Sequence, residues 1–149
     1  MYFDNLVNDY ERLGGGLYPA DEQDIHRLLD IWGTLPMAYI EFLHVMGEGT
    51  GNGFLIGHDC FIDTIFSLKS WALELLEENN ETELFIKDTY FVFMMIQGMN
   101  FFFFDITDGD DPPVYLYDEE YPHEFRKISD TFSHMIIDFY NMLEQRHIK

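Results

Sequence analysis

Basic residues are scarce in this chain: eight Lys and Arg stand against 28 Asp and Glu, a net charge of −20 over 149 residues. That deficit excludes a general nucleic-acid binder, because neutralising phosphates takes Lys and Arg. It also argues against an anionic membrane surface. Cysteine is rarer still. Cys60 has no second thiol in the chain, so no intrachain disulfide staples the fold, and a reducing, cytoplasmic compartment fits. The longest apolar block, Phe91 to Phe104, is broken by Gln97, Gly98 and Asn100 and falls short of the ~20 residues that span a bilayer. The opening stretch MYFDNLVNDYERLGGG carries acids early and no sustained apolar run, so it does not read as a signal peptide.

What is present is a large apolar fraction. Hydrophobic residues make up 47% and aromatics 17% of the chain, enough for a real core in one domain spanning residues 1–149. Residues 1–16 read as a weakly helical lead-in, set off by Gly14, Gly15 and Gly16. Ile25, Leu28, Leu29 and Trp32 then fall at helical spacing behind Asp21, Glu22 and Asp24, whose charges suit a helix N-terminus. In WGTLPMAYIEFLHVMGEGTGNG (Trp32 to Gly53), Pro36 suits a first helical turn, and Tyr39, Phe42, Leu43 and Met46 repeat the i, i+3, i+4, i+7 stripe. Gly47 is expected as a left-handed residue ending that helix.

Phe54 to Ile56 and Phe61 to Phe66 read as short strands around a Gly57-His58-Asp59 turn. Ser67 or Ser70 is expected to cap a third helix through about Asn79, with Trp71, Leu75 and Leu76 buried. Five strand-like runs follow: Leu84 to Ile86, Phe91 to Gln97, Phe101 to Asp105, Val114 to Tyr117 and Arg126 to Ile128. Four consecutive phenylalanines, Phe101 to Phe104, present rings to both faces, which predicts a central strand covered on both sides. Ser129 or Asp130 is expected to cap a last helix with Phe132, Ile136, Phe139, Tyr140 and Leu143 as its stripe. The order α-α-β-β-α-β-β-β-β-β-α, with short links, predicts an α+β fold: a curved, largely antiparallel sheet of about six strands with helices packed against it.

The residue types that carry chemistry do not assemble into a convincing set. GEGTGNG (Gly47 to Gly53) follows a helix, whereas phosphate loops precede one, and no Lys or Arg lies between Arg27 and Lys69. Cys60 beside His58 and Asp59 is the nearest thing to a nucleophile set, yet so acidic a chain disfavours a thiolate. His26, His44, His58, His123, His134 and His147 lack metal spacing. Asp105-Ile-Thr-Asp-Gly-Asp-Asp111 lacks the acid, glycine and glutamate spacing of a calcium loop. Neither a cofactor nor a metal is expected.

Charge distribution is the positive signal. Asp105, Asp108, Asp110, Asp111, Asp118, Glu119, Glu120 and Glu124 fall in a segment without Lys or Arg, interleaved with Tyr115, Tyr117 and Tyr121. Tyrosine gives contact area at low entropy cost, and acids steer encounter with a basic protein. Asp105, Asp108, Asp110, Asp111, Tyr115, Tyr117, Asp118, Glu119 and Glu120 are therefore the candidate partner-binding residues.

Leu35, Pro36, Tyr39, Phe42, Leu43, Gly47 and Gly49 also resemble the signature of the SUKH superfamily (Smi/Knr-like domains). Gly98, Phe102 to Asp105, Gly109, Asp110, Pro113, Val114, Tyr115, Phe132 and Phe139 extend the likeness, which runs from about Ile25 to Leu143. The resemblance implies a non-catalytic protein-binding domain. Bacterial members are mostly immunity proteins, each neutralising a toxin that is often a nuclease, and the yeast member regulates cell-wall synthesis. An antitoxin that occludes a basic nuclease-like toxin is thus expected. The alternatives are a regulatory scaffold with endogenous partners, or an enzyme built around His58 and Cys60.

Overall fold

The structure, a computed structural model, describes residues 1–51 and 53–148, the last five by backbone alone. Among the described residues, five helices pack with one antiparallel sheet. In chain order the elements are α1 (Asp4–Arg12), α2 (Glu22–Trp32), α3 (Met37–Met46), β1 (His58–Asp59), α4 (Ile62–Glu78), β2 (Tyr90–Ile96), β3 (Asn100–Asp105), β4 (Val114–Asp118), β5 (Arg126–Ser129) and α5 (Phe132–Ile148). The strands pair in sequence order, β1-β2-β3-β4-β5, as an open meander. This is the α+β architecture that the sequence predicts. Among the described residues no helix is long and apolar enough to cross a membrane.

Local chemistry explains most boundaries. The Asp21 carboxylate accepts from the Gln23 N–H at 2.8 Å, capping α2, and Gly33 ends that helix at φ 79°, a conformation that costs glycine little. Tyr39, Phe42, Leu43 and Met46 are all 1% exposed or less, so the α3 stripe faces the core. Gly47 departs from expectation. Its φ is −64°, within right-handed space, and the reason for glycine is room: an added Cβ would lie 2.6 Å from the Leu43 carbonyl oxygen and 2.8 Å from the Ala20 Cβ.

Three strand assignments fail. Phe54 to Ile56 forms turns, Leu84 to Ile86 is irregular, and Phe61 to Phe66 leads into α4, so the sheet has five strands. The β-branched residues of Phe61 to Phe66 favour strand locally. However, Ile62, Ile65, Leu68, Ala72, Leu75 and Leu76 form one buried helical stripe, and packing outweighs so weak a local preference. In this register Trp71 points outward and Ala72 takes its place against the core. At α5, Thr131 supplies the cap, its Oγ1 accepting from the His134 N–H at 3.2 Å.

The sheet is apolar on both faces. Phe91 pairs with Phe104 across β2 and β3, and a bulge after Val92 sets Phe93 and Met94 together against Phe102. Tyr39 and Phe132 press on this side, with Tyr39 4.9 Å from Phe91 and Phe132 5.0 Å from Phe93, centroid to centroid. On the other side, rings from three neighbouring strands form a row: Tyr90 is 4.8 Å from Phe103, and Phe103 is 5.6 Å from Tyr115. Phe101 stacks on Tyr117 at 5.3 Å in the same layer, and Phe125 packs edge-on at 4.9 Å from Phe103. All four phenylalanines of β3 are buried, as expected for a central strand.

Candidate functional site

Because β3 and β4 are antiparallel, Asp105 and Val114 lie at one end of the hairpin, and Asn100 and Asp118 at the other. The acidic segment is therefore divided. Asp105, Asp108, Asp110 and Asp111 gather at one end of β4. Asp118, Glu119 and Glu120 gather at the opposite end, roughly 14 Å away at about 3.4 Å per residue.

The first group sits on a firmly held loop. The Asp105 Oδ1 accepts from the Thr107 N–H (2.9 Å) and hydroxyl (2.7 Å), and Gly109 reverses the chain at φ 93°. The Asp110 carbonyl accepts from the Ala38 N–H at 2.9 Å, which fastens the loop to the first turn of α3. Asp111 turns to α5, where it accepts from the Ser133 N–H (2.9 Å) and hydroxyl (2.5 Å), a favourable place for an anion. Asp108 and Asp110 are left exposed. Desolvation pushes the Asp105 carboxyl up, but hydrogen bonds from Thr107 and Thr89 and the charge of Lys87 outweigh it, holding the group below its ordinary value.

The second group surrounds a buried network. Tyr117 is completely buried and belongs to the core; as a partner-contacting residue it is overturned, since a side chain with no exposed surface cannot meet a partner. Burial, then its bond to Glu81, pushes its hydroxyl up to about 12. Glu119 accepts from the Asn79 amide at 3.3 Å, and the Asp118 Oδ1 accepts from the Glu120 N–H at 3.0 Å. Glu120 and Tyr121 are exposed, Tyr115 is half-buried, and the Arg126 guanidinium lies 4.6 Å over the Tyr121 ring.

Between the first acidic group and the ring row lies a cavity of about 210 Å³, lined by Tyr90, Phe103, Asp105, Asp108, Tyr115 and Phe125. Sequence reasoning missed Tyr90, Phe125 and the buried carboxylate of Glu81. Tyr90 and Phe125 lie outside the acidic stretch, and Glu81 is 36 residues from its tyrosine partner, so no linear pattern joins them.

The remaining chemical candidates do not converge. Cys60 is 2% exposed, and burial, with the charges of Asp59 and Asp63, pushes its thiol up, away from the nucleophilic thiolate. His58 packs against the Phe139 ring at 5.4 Å, and burial lowers its affinity for a proton. Among the described residues no group of three His, Cys, Asp or Glu side chains could hold a metal ion; the side chain of His147 lies outside them. A second cavity of about 550 Å³, lined by Tyr10, Gly15, Tyr18, Gly53, Tyr140 and neighbours, has no charged side chain in its lining among the described residues. The glycine loop borders it, with Asn52 outside the described residues.

An open antiparallel sheet flanked by helices, carrying acids at its strand ends, defines a small α+β domain with surface charge as its main chemical resource. Residues 19–138 match the SMI1 / KNR4 family (SUKH-1), and the chain belongs to that family. The match takes in α2 through the opening turns of α5, up to residue 138, and leaves α1 outside. No curated protein matches the chain.

Proposed function

We propose that this protein is a non-catalytic immunity protein that neutralises a cognate basic toxin domain, such as a nuclease, by occupying its active-site cleft. Membership of the SUKH-1 family supports a protein-binding role. The observation that carries the basic partner is the charge pattern: a body of net charge −20 with exposed carboxylates on Asp108, Asp110 and Glu120 at the two ends of β4. Anionic side chains at those places substitute for nucleic-acid phosphates in a cationic cleft, and the surrounding field raises the on-rate. A cytoplasmic location accords with this role and with the single unpaired cysteine.

The test is co-purification of the full chain with the catalytic domain of a toxin encoded beside its gene, followed by association kinetics. Asp108→Asn, Asp110→Asn and Glu120→Gln are the substitutions of choice, because Asp111 and Glu119 hold other elements in place. The triple variant is expected to slow association at least tenfold at low salt and to flatten its salt dependence. An on-rate indifferent to both salt and these substitutions overturns the acidic-steering mechanism. Failure to bind any adjacent toxin domain overturns the immunity role.

A further inference from the structure

The cavity beneath the β3–β4 loop combines aromatic rings with carboxylates. Its walls are the rings of Tyr90, Phe103, Tyr115 and Phe125, and its remaining lining is two carboxylates, Asp105 and Asp108. Phe103 is the rigid centre: Tyr90 stacks on it at 4.8 Å, Tyr115 at 5.6 Å, and Phe125 meets it edge-on at 4.9 Å. These contacts fix the walls before anything binds, so little ordering cost remains for an occupant. At about 210 Å³ the space is on the scale of one large side chain, not of a helix about 10 Å in diameter. It suits one extended side chain.

Apolar walls with carboxylates among them match a side chain that is apolar along its stem and cationic at its tip. Of the two natural choices, arginine fits better. Its planar guanidinium lies flat against aromatic rings, forks onto carboxylate oxygens, and gives up its hydration more readily than an ammonium. The chain's own cations stand at the edge of the site, and Lys87, whose charge favours the ionised Asp105, competes there with an incoming one. The Lys87 ammonium lies 5.7 Å from the Tyr90 ring centre, and Lys127, opposite Tyr115 in the sheet, is paired with Asp130 at 2.8 Å.

We propose that the cavity lined by Tyr90, Phe103, Tyr115 and Phe125, with Asp105 and Asp108 in its wall, receives one arginine side chain of the protein partner. This rests on the partner-binding role argued above and assigns it an anchoring point.

The site is tested without the partner, by titrating the full, isotopically labelled chain with N-acetyl-arginine amide and, separately, N-acetyl-norleucine amide. Saturable NMR shifts at Tyr90, Phe103, Tyr115 and Phe125 are expected with the arginine compound alone. Asp108→Asn should weaken them at least fivefold, and Lys87→Gln, which removes a competing cation, should strengthen them. Equal response to norleucine, no response to arginine, or indifference to Asp108→Asn each overturns the proposal. A captured basic partner whose affinity is unchanged by Asp108→Asn and Tyr115→Leu also overturns the anchor while leaving the immunity role standing. An arginine site that behaves as described in a protein that binds no toxin overturns the role and leaves the cavity's chemistry in place.

Discussion

The Tyr117 hydroxyl donates a 2.8 Å hydrogen bond to Oε2 of Glu81, a carboxylate whose side chain is 1% exposed. The same oxygen accepts from the His123 N–H at 2.8 Å, and Oε1 lies 2.6 Å from the His123 Nδ1. Asn79, the last-turn neighbour of α4, donates to the Tyr117 oxygen at 3.1 Å. One acid therefore ties the end of α4 to β4 and to the turn that follows it. Desolvation opposes the charge on Glu81, but bonds from the His123 backbone, Tyr117 and the His123 ring prevail and lower its proton affinity. A carboxylate depressed in this way adds stability above the ordinary glutamate range near pH 4.3 and loses it as pH falls through the lower folded value. Tyr117→Phe should destabilise the fold by about 1–2 kcal/mol, the loss of a buried hydrogen bond. Glu81→Gln should flatten the acid limb of stability against pH. Urea midpoints measured from pH 7 down to pH 3 check both; an acid limb identical to the parent's would contradict the network.

Gly47 offers a steric test. Its backbone is ordinary, but the Leu43 carbonyl oxygen stands 2.6 Å and the Ala20 Cβ 2.8 Å from where a new Cβ would fall, and the Ala20 N–H is bonded to that same carbonyl at 2.9 Å. Gly47→Ala forces that strap away from α3 and should cost about 1–3 kcal/mol, as overpacking does. Chemical denaturation of the variant measures it.

Tyr39 is buried to 0% among Phe42, Phe91, Phe104 and Phe132, and its hydroxyl has no hydrogen-bond partner among the described residues. A buried hydroxyl without a partner costs stability. Tyr39→Phe is expected to stabilise the protein by about 1 kcal/mol, read as a higher urea midpoint with an unchanged slope. Destabilisation would indicate a bonded hydroxyl.

The family match leaves α1 outside, yet α1 and the residue preceding it contribute to the core. Phe3 meets Phe132 edge-on at 6.4 Å, Tyr10 meets Phe54 at 5.4 Å, and the Tyr10 hydroxyl donates to the Thr50 carbonyl at 2.6 Å. The Tyr140 hydroxyl donates to Asp9, joining α1 to α5. A fragment cut to residues 19–138 should lose cooperative unfolding and bind a hydrophobic dye, whereas the full chain should do neither; calorimetry and dye fluorescence decide.

What the sequence revealed, and what it concealed, follows from the range of the interactions. The stripes of α2 and α3 and the central strand β3 were legible because neighbours at i+3, i+4 or i+2 decide them. Phe61 to Phe66 misled because its β-branched residues favour strand locally, while its burial is decided by a helical register that extends to Leu76. Gly47 misled for a related reason: besides the Leu43 carbonyl at its own helix end, the group that excludes a side chain there is the Ala20 Cβ, 27 positions away. The acidic segment was evident as composition, but its division between two ends of β4 comes from strand direction, and the inward turn of Tyr117 comes from Glu81. No pattern within Asp105 to Glu124 encodes either.

That division has a consequence for recognition. Negative charge concentrated at one point draws a cationic body inward but leaves it free to spin. In the proposed role, two such groups on a rigid strand add a torque to the overall attraction, so a partner whose own cations sit at a matching separation is aligned before contact. Spacing, and not charge alone, then discriminates between equally basic partners.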